Sequence, residues 1–184
     1  MDDAVTSLAP TLLVAMPQLQ DPNFTRSVVL LCEHRDAGAM GLVVNHPTET
    51  RASQIVNLDP PVKDDSGLEV WIGGPVEPER GWLLVGDHSA EGLEICPGLF
   101  LSASVDLLRS KMEDAEGKAR CRFLVGYAGW GPKQLDRELA ASAWLTVPVD
   151  LALLFETPSD QMWEYAIRRL GIDPSALAMG PGVH

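Results

Sequence analysis

Glycine and proline recur along the whole chain and limit how long any helix or strand can be. The sequence holds 16 glycines and 14 prolines in 184 residues. Both residues interrupt regular structure and favour tight turns, so a bundle of long helices is excluded. The hydrophobic fraction of 46% supplies enough apolar side chains for one substantial core. The sequence therefore predicts a single domain over residues 1–184, with an ordered core at about residues 8–178 and short flexible termini.

Two apolar runs predict a buried β-hairpin. Residues 27–34 and 39–45 are rich in Val and Leu, and the turn at residues 35–38 suits a hairpin. Further strands are predicted at residues 12–16, 69–72, 81–86, 99–101, 121–128 and 144–147, and helices at residues 49–57, 102–112, 132–141 and 159–170. Because the strands come in hairpins rather than as regular βαβ units, the pattern predicts an α+β fold with a mostly antiparallel sheet.

The charge balance disfavours nucleic-acid binding. The chain carries 14 Lys and Arg against 26 Asp and Glu, which gives a formal net charge of −12. A negative field repels the phosphate backbone. The most basic stretch, residues 109–122, has acidic residues interleaved with its basic ones. We therefore expect no direct nucleic-acid partner.

The cysteines and the N-terminus predict a cytoplasmic protein. Cys32, Cys96 and Cys121 are odd in number and widely spaced, so they form neither a disulfide framework nor a CxxC pair. The N-terminus carries aspartates rather than the positive charge of a signal peptide. The apolar run at residues 12–16 is far shorter than the roughly 20 residues of a membrane-spanning helix. We therefore expect no membrane partner.

Nine short strings occur in an order that resembles the YqgE/AlgH family. They are LVAMP at 13–17, DPNF at 21–24, SVV at 27–29, CEH at 32–34, GAMGLVVN at 38–45, GGPV at 73–76, GWG at 129–131, QL at 134–135 and AWL at 143–145. Each string is short, and their order over residues 8–170 makes the resemblance specific.

The resemblance implies an α+β fold with a bifurcated, barrel-like, mostly antiparallel sheet and helices packed outside it. Members of the family are bacterial and cytoplasmic, have no established enzymatic activity, and in some cases carry the label of transcriptional regulator. This chain departs from the family pattern at His46, where Arg is more usual, and at Lys133, where Gly is usual. If that Arg serves an anion or a partner, the site here is altered or pH-sensitive.

Cys32 and His34 form the pair with the most chemical potential. Positions i and i+2 of a strand share a face, so the imidazole could approach the sulfur and lower its pKa. A thiolate there would be oxidant-sensitive or nucleophilic. The alternative is a buried cysteine that acts as a small hydrophobe, with Glu33 raising the pKa of its thiol.

The string GWGPKQ at residues 129–134 gives a candidate site for an anion or a small ligand. It precedes a predicted helix, whose free backbone N–H groups favour anions, and Lys133 adds a positive charge. Trp130, Gly131 and Gln134 would line the site. The alternative is a tight turn that wedges Trp130 into the core. Asn45 closes a predicted strand and either ties down a turn or contributes to binding.

The chain lacks the GxSxG, HExxH and GxGxxG motifs, and its four histidines are scattered. The sequence therefore predicts no catalytic residue, no cofactor and no metal. We expect a non-catalytic binding or regulatory protein that acts through protein contacts or a small ligand. The alternatives are a thiol-based redox or stress-response protein that uses Cys32, and a transcriptional regulator, which only the family label suggests.

Overall fold

The computed structural model describes residues 7–19, 21–87, 91–116 and 119–178. The predicted flexible termini lie largely outside these residues. The strands are β1 Thr11–Ala15, β2 Val28–Arg35, β3 Gly38–Val43, β4 Pro47–Arg51, β5 Glu69–Ile72, β6 Val76–Val85, β7 Leu93–Cys96, β8 Leu99–Ser102, β9 Cys121–Trp130 and β10 Trp144–Val147. The helices are α1 Ala52–Ile55, α2 Val105–Glu113, α3 Gln134–Ala140, α4 Leu151–Phe155, α5 Met162–Arg168 and α6 Pro174–Ala178, with 3-10 turns at Pro22–Phe24 and Ser159–Gln161.

The ten strands form one branched sheet. The main path runs β10-β1-β2-β3-β9-β6-β8-β7, and β4 and β5 branch from β9. The β5–β9 pair is parallel and the other strand pairs are antiparallel. Within the described ranges no pairing joins β10 to β7. The predicted α+β class with a mostly antiparallel, bifurcated sheet is confirmed, and this sheet does not close into a barrel.

The sheet branches at β9 because the chain crosses over that strand. β5 and β6 occupy opposite edges of the first half of β9, and only residues 73–75 connect them. A Cβ on Gly74 would lie 2.1 Å from the carbonyl carbon of Tyr127, and a Cβ on Gly126 would lie 2.3 Å from the carbonyl oxygen of Gly74. Backbones this close leave no room for side chains. The GGPV string is therefore a crossover. Beyond it, β3 pairs with the edge of β9 that β5 occupies in the first half of the strand.

Both faces of the sheet are covered. Leu12 and Val14 of β1 belong to a first core, whereas Leu13 and Ala15 belong to a second one on the other face. The first core packs under α4 and α5, and the second under α3 and the 3-10 turn at Pro22–Phe24. A third core packs α1 and α2 against β5, β6 and the start of β9. No helix among the described residues is long and apolar enough to cross a membrane.

Most predicted elements are present, and two predictions were wrong in detail. The helix predicted at residues 49–57 is strand β4 followed by the single turn α1. The predicted cap of α2 at Ser102 is wrong, because Ser104 Oγ accepts the hydrogen bond from the backbone N–H of Leu107. The residue patterns did not indicate β7, α4 or α6, each of which spans only four or five residues.

Candidate functional site

Cys32 and His34 lie on opposite faces of the sheet. From Leu31 to Glu33 the pairing advances two residues on β2 but only one on β3, so Cys32 is the extra residue of a β-bulge. A bulge shifts the alternation of side chains by one position. Cys32 packs against the first core, and His34 pairs with Ala39, which packs against the second. The prediction that residues 32 and 34 share a face was therefore wrong.

The environment of Cys32 keeps its thiol protonated. Burial, and then the negative charge of Glu33, raise the pKa of this thiol to about 12. The sulfur lies 3.5 Å from the carbonyl oxygen of Leu30, to which the thiol donates. A thiol with such a pKa is almost entirely un-ionised at neutral pH. A redox role for Cys32 stays a prediction, and these observations do not support it.

His34 connects three segments of the chain. Its Nδ1 accepts a hydrogen bond from the backbone N–H of Leu8 at 3.1 Å, and its Nε2 lies 3.1 Å from Asp136 Oδ1 on α3. The side chain is 4% exposed. Both ring nitrogens are therefore engaged away from Cys32, and His34 ties the N-terminal segment and α3 to β2.

Asn45 closes the turn that precedes β2. Its side-chain oxygen accepts from the backbone N–H of Val28, and its amide nitrogen donates to the carbonyl of Arg26, both at 3.0 Å. Nε2 of the neighbouring His46 lies 3.3 Å from Ser27 Oγ, and burial lowers the pKa of this imidazole. These contacts support the structural alternative for Asn45. Its proposed part in ligand binding remains a prediction.

The turn before α3 satisfies several of its own polar groups. Gly131 donates its backbone N–H to Gln134 Oε1 at 3.0 Å. Lys133 precedes the helix with a left-handed φ of 62°, and its Nζ lies 3.7 Å from Asp36. The structure does not bring Asn45 to this turn, because Asn45 follows the end of β3 that lies away from Trp130. Anion binding here stays a prediction.

Trp130 is part of the second core and is 6% exposed. Its indole nitrogen donates to Glu138 Oε2 at 2.7 Å, and that of Trp144 donates to the same oxygen at 3.2 Å. The ring of Phe24 packs against both indoles. The structure therefore has the alternative arrangement, in which a tight turn wedges Trp130 into the core.

Beside this turn lies an open groove of about 710 Å³, which we call the β9 groove. It runs between the β2–β3 turn and β6, and its floor is formed by the last residues of β9 and the first residues of β3. Its lining includes Glu33, Arg35, Arg80, Trp82, Tyr127 and Gly129. Of the predicted redox and ligand-binding residues, Trp130 contributes to this lining, together with Gly129, the first residue of the string GWGPKQ.

Gly129 presents bare backbone in the β9 groove. A Cβ on Gly38 would lie 2.4 Å from the carbonyl oxygen of Trp130, so this carbonyl faces β3. Polar groups of neighbouring residues in a strand point to opposite edges, so those of Gly129 point away from β3. The pairing of β6 with β9 reaches only Val76 and Tyr127. Within the described part of the chain, no strand pairs with that edge of Gly129, which is exposed.

Two ion pairs and an indole flank this backbone. The guanidinium of Arg35 lies 2.6 Å from Glu33, and that of Arg80 lies 3.4 Å from Glu77. Arg80 also stacks on the ring of Trp82, 4.3 Å from its centroid. The indole nitrogen of Trp82 is buried and has no hydrogen-bond acceptor among the described residues. The groove is thus lined by two guanidiniums and by aromatic rings, and the indole N–H of Trp82 is buried beside it.

Among the described residues, no group of three or more His, Cys, Asp and Glu could hold a metal ion. Sequence reasoning missed Arg80, Trp82 and Tyr127, because the fold brings them together from separate strands. One signal was available, since a glycine inside a strand often marks close approach of a ligand or another backbone, and Gly129 lies between aromatic residues.

Comparison with known proteins places the chain among bacterial relatives. A family model described as AlgH-like matches residues 12–175. A UPF0301 protein of Myxococcus xanthus is 44% identical over 185 residues, which covers 97% of this chain and 99% of the relative. A UPF0301 protein of Stenotrophomonas maltophilia is 43% identical over 173 residues, with coverage of 91% and 92%.

Two solved structures share the fold. The solution structure of the AlgH protein from Pseudomonas aeruginosa is similar with a TM-score of 0.77 and 34% sequence identity, and the match covers 100% of both chains. The crystal structure of a protein from Corynebacterium diphtheriae has a TM-score of 0.69 at 20% identity, with coverage of 92% and 88%. The second likeness is one of fold alone.

Proposed function

The chain belongs to the AlgH-like family, and from that premise we propose that it is a non-catalytic binding protein that takes an extended segment of a partner protein in the β9 groove. The observation that carries this proposal is the exposed, unpaired backbone of Gly129 in the groove. An extended peptide satisfies such an edge with its own N–H and C=O groups, which gives affinity through the main chain.

The shape of the groove supports the same occupant. Its volume of about 710 Å³ falls within the range of known ligand sites. Because Gly129 has no side chain, another backbone can approach it closely. Tyr127 and Trp82 flank this position and offer aromatic contacts to alternate side chains of a bound strand.

The other functions predicted from the sequence receive less support. A redox role would need a reactive thiolate, and the pKa of Cys32 is raised. A direct role in transcription would work against the net charge of −12. The three cysteines are free, as expected in a reducing compartment, and we propose a cytoplasmic location on that ground.

The proposal is tested with a random linear peptide library displayed on phage and selected on the purified protein. Peptides enriched on the wild type are synthesised, and their affinities are measured by fluorescence anisotropy. The variant Gly129→Val adds a side chain to the floor of the groove. A Cβ at this position makes only ordinary contacts, at 3.6 Å and 3.7 Å, so we expect the fold to tolerate it. Circular dichroism checks its fold, and Gly129→Ala replaces it if the larger side chain disturbs the sheet.

We expect Gly129→Val to weaken peptide binding by about tenfold or more, because the added side chain occupies the space through which another backbone approaches Gly129. The control Thr146→Val places the same side chain at an exposed strand position of β10, away from the groove, and leaves binding unchanged. Failure to enrich any peptide above the unselected library would refute the proposal, as would equal binding to the wild type and Gly129→Val.

A further inference from the structure

We infer that the segment bound in the β9 groove is acidic, and that Arg80 and the indole N–H of Trp82 hold one of its carboxylates, with Arg35 on the facing wall of the groove. This inference rests on the proposed function and names the chemistry of the partner. Two observations support it: the charged groups of the groove, and the indole N–H of Trp82, which has no acceptor among the described residues. Main-chain pairing at Gly129 depends on neither of them.

The groove is far less acidic than the chain as a whole. The whole protein has a formal net charge of −12, whereas at the groove the guanidiniums of Arg35 and Arg80 are matched by the carboxylates of Glu33 and Glu77, with which they pair. Charge complementarity of this kind selects partners and guides their approach more than it adds affinity. In a chain with few cations, two guanidiniums beside an unpaired backbone point to an anionic occupant.

The indole N–H of Trp82 also favours an anionic ligand. Its N–H is buried and has no acceptor in the described part of the chain. A buried donor without a partner is costly, and an acceptor supplied by a ligand would remove that cost. The guanidinium of Arg80 lies on this ring, 4.3 Å from its centroid. A carboxylate has two oxygens, so one group can accept from the indole and from Arg80 together.

The existing ion pairs do not block such a ligand. Both are exposed, with side-chain exposures of 75% and 47% for Arg35 and Glu33, and 54% each for Arg80 and Glu77. Exposed pairs contribute little to stability, so their guanidiniums can change partner at low cost. Residues 77–80 form a bulge opposite Gly126, which places Arg80 at the border of the groove rather than within the regular sheet.

The test uses the peptides selected on the wild-type protein. Each acidic residue of a bound peptide is replaced by its amide, Asp by Asn and Glu by Gln, and affinities are measured for the wild type and for Arg80→Gln. We expect one amide substitution to weaken binding to the wild type by about tenfold or more, and to have little further effect on Arg80→Gln. Arg109→Gln, which breaks a pair on α2 outside the groove, controls for the change in net charge.

A second readout follows the indole directly. The Trp82 N–H signal, assigned by its loss in Trp82→Phe, is expected to move downfield when peptide is added, as an N–H does on gaining an anionic acceptor. If peptides bind and Gly129→Val weakens them, but the amide substitutions have no effect, the acidic partner is overturned and the proposed function stands. If Gly129→Val has no effect either, the proposed function fails with it. A dimer of this chain that Gly129→Val dissociates would overturn the inference of a separate partner.

Discussion

The carboxylate of Glu138 on α3 lies 2.7 Å from the indole nitrogen of Trp130 at the end of β9. The same oxygen accepts from the indole of Trp144 on β10 at 3.2 Å. The two rings pack edge to face with 5.9 Å between their centroids. One acidic side chain therefore fixes the two buried tryptophans that anchor the helix to the second core.

Removal of this carboxylate is expected to destabilise the fold. Glu138→Ala leaves two indole N–H groups without their acceptor, and we expect the free energy of unfolding to fall by about 1–3 kcal/mol. Glu138→Gln keeps one carbonyl oxygen and is expected to lose less. Urea denaturation measures both, with the exposed Glu113→Ala as control. An equal loss for Glu138→Ala and Glu113→Ala would show that the contact contributes nothing.

Cys32 is expected to resist thiol reagents in the folded protein. Its thiol is partly buried and has a pKa raised to about 12, whereas Cys96 lies on the edge strand β7 and has a pKa raised to a smaller extent by burial and Glu94. Peptide mapping by mass spectrometry after brief iodoacetamide treatment near neutral pH should find Cys96 modified first. In denaturant all three cysteines should react. Faster modification or peroxide oxidation of Cys32 in the native protein would revive the redox hypothesis.

His46 is expected to make stability depend on pH below neutrality. Burial lowers the pKa of His46 from its ordinary value of 6.5, so the unfolded chain takes up a proton before the folded protein does. Stability therefore rises with pH in this range, and this contribution is lost as pH falls below 6.5 toward the folded pKa. Urea denaturation across this range should show a smaller fall for His46→Gln than for the wild type. Equal slopes would mean that His46 is as easily protonated in the folded protein as in the unfolded chain.

Lys133 adopts a backbone conformation that suits glycine. Its φ of 62° is left-handed, which costs an L-residue about 1–2 kcal/mol. We expect Lys133→Gly to raise the free energy of unfolding by about 0.5–1 kcal/mol, since the extra freedom of glycine in the unfolded chain offsets part of the gain. Lys63→Gly, at an exposed position outside the left-handed region, should bring no gain. A loss of stability in Lys133→Gly would show that its contact with Asp36 outweighs the strain.

Local patterns predicted much of the fold. The β2–β3 hairpin and β10 follow from apolar runs bounded by turn residues, and they lie where the sequence placed them. The bulge at Cys32 could not be predicted, because it depends on pairing with β3 and leaves the residue pattern of β2 unchanged. Helix α4 has only five residues, which is too short for a periodic signal.

The groove was harder to predict than the fold. Its walls come from the β2–β3 turn and from β6, about 45 residues apart in the chain, and they meet only because both pack beside β9. Sequence reasoning found Trp130, which the structure places at the edge of the groove and mainly in the core. It missed Tyr127 and Trp82 because an aromatic residue in a strand is equally typical of a core.

Substitutions of Gly74 and Gly129 distinguish two reasons for a glycine near β9, namely close packing of two backbones and access for a ligand. A Cβ on Gly74 would lie 2.1 Å from the backbone of Tyr127, which cannot move without breaking the crossover, so Gly74→Ala should cost about 3 kcal/mol or more. A Cβ on Gly129 has ordinary contacts, the nearest at 3.6 Å, so Gly129→Ala should change stability by less than about 1 kcal/mol. Urea denaturation of the two variants measures both. A large loss of unfolding free energy in Gly129→Ala would mean that packing requires a glycine at this position. A bound ligand would then not be needed to explain why Gly129 has no side chain.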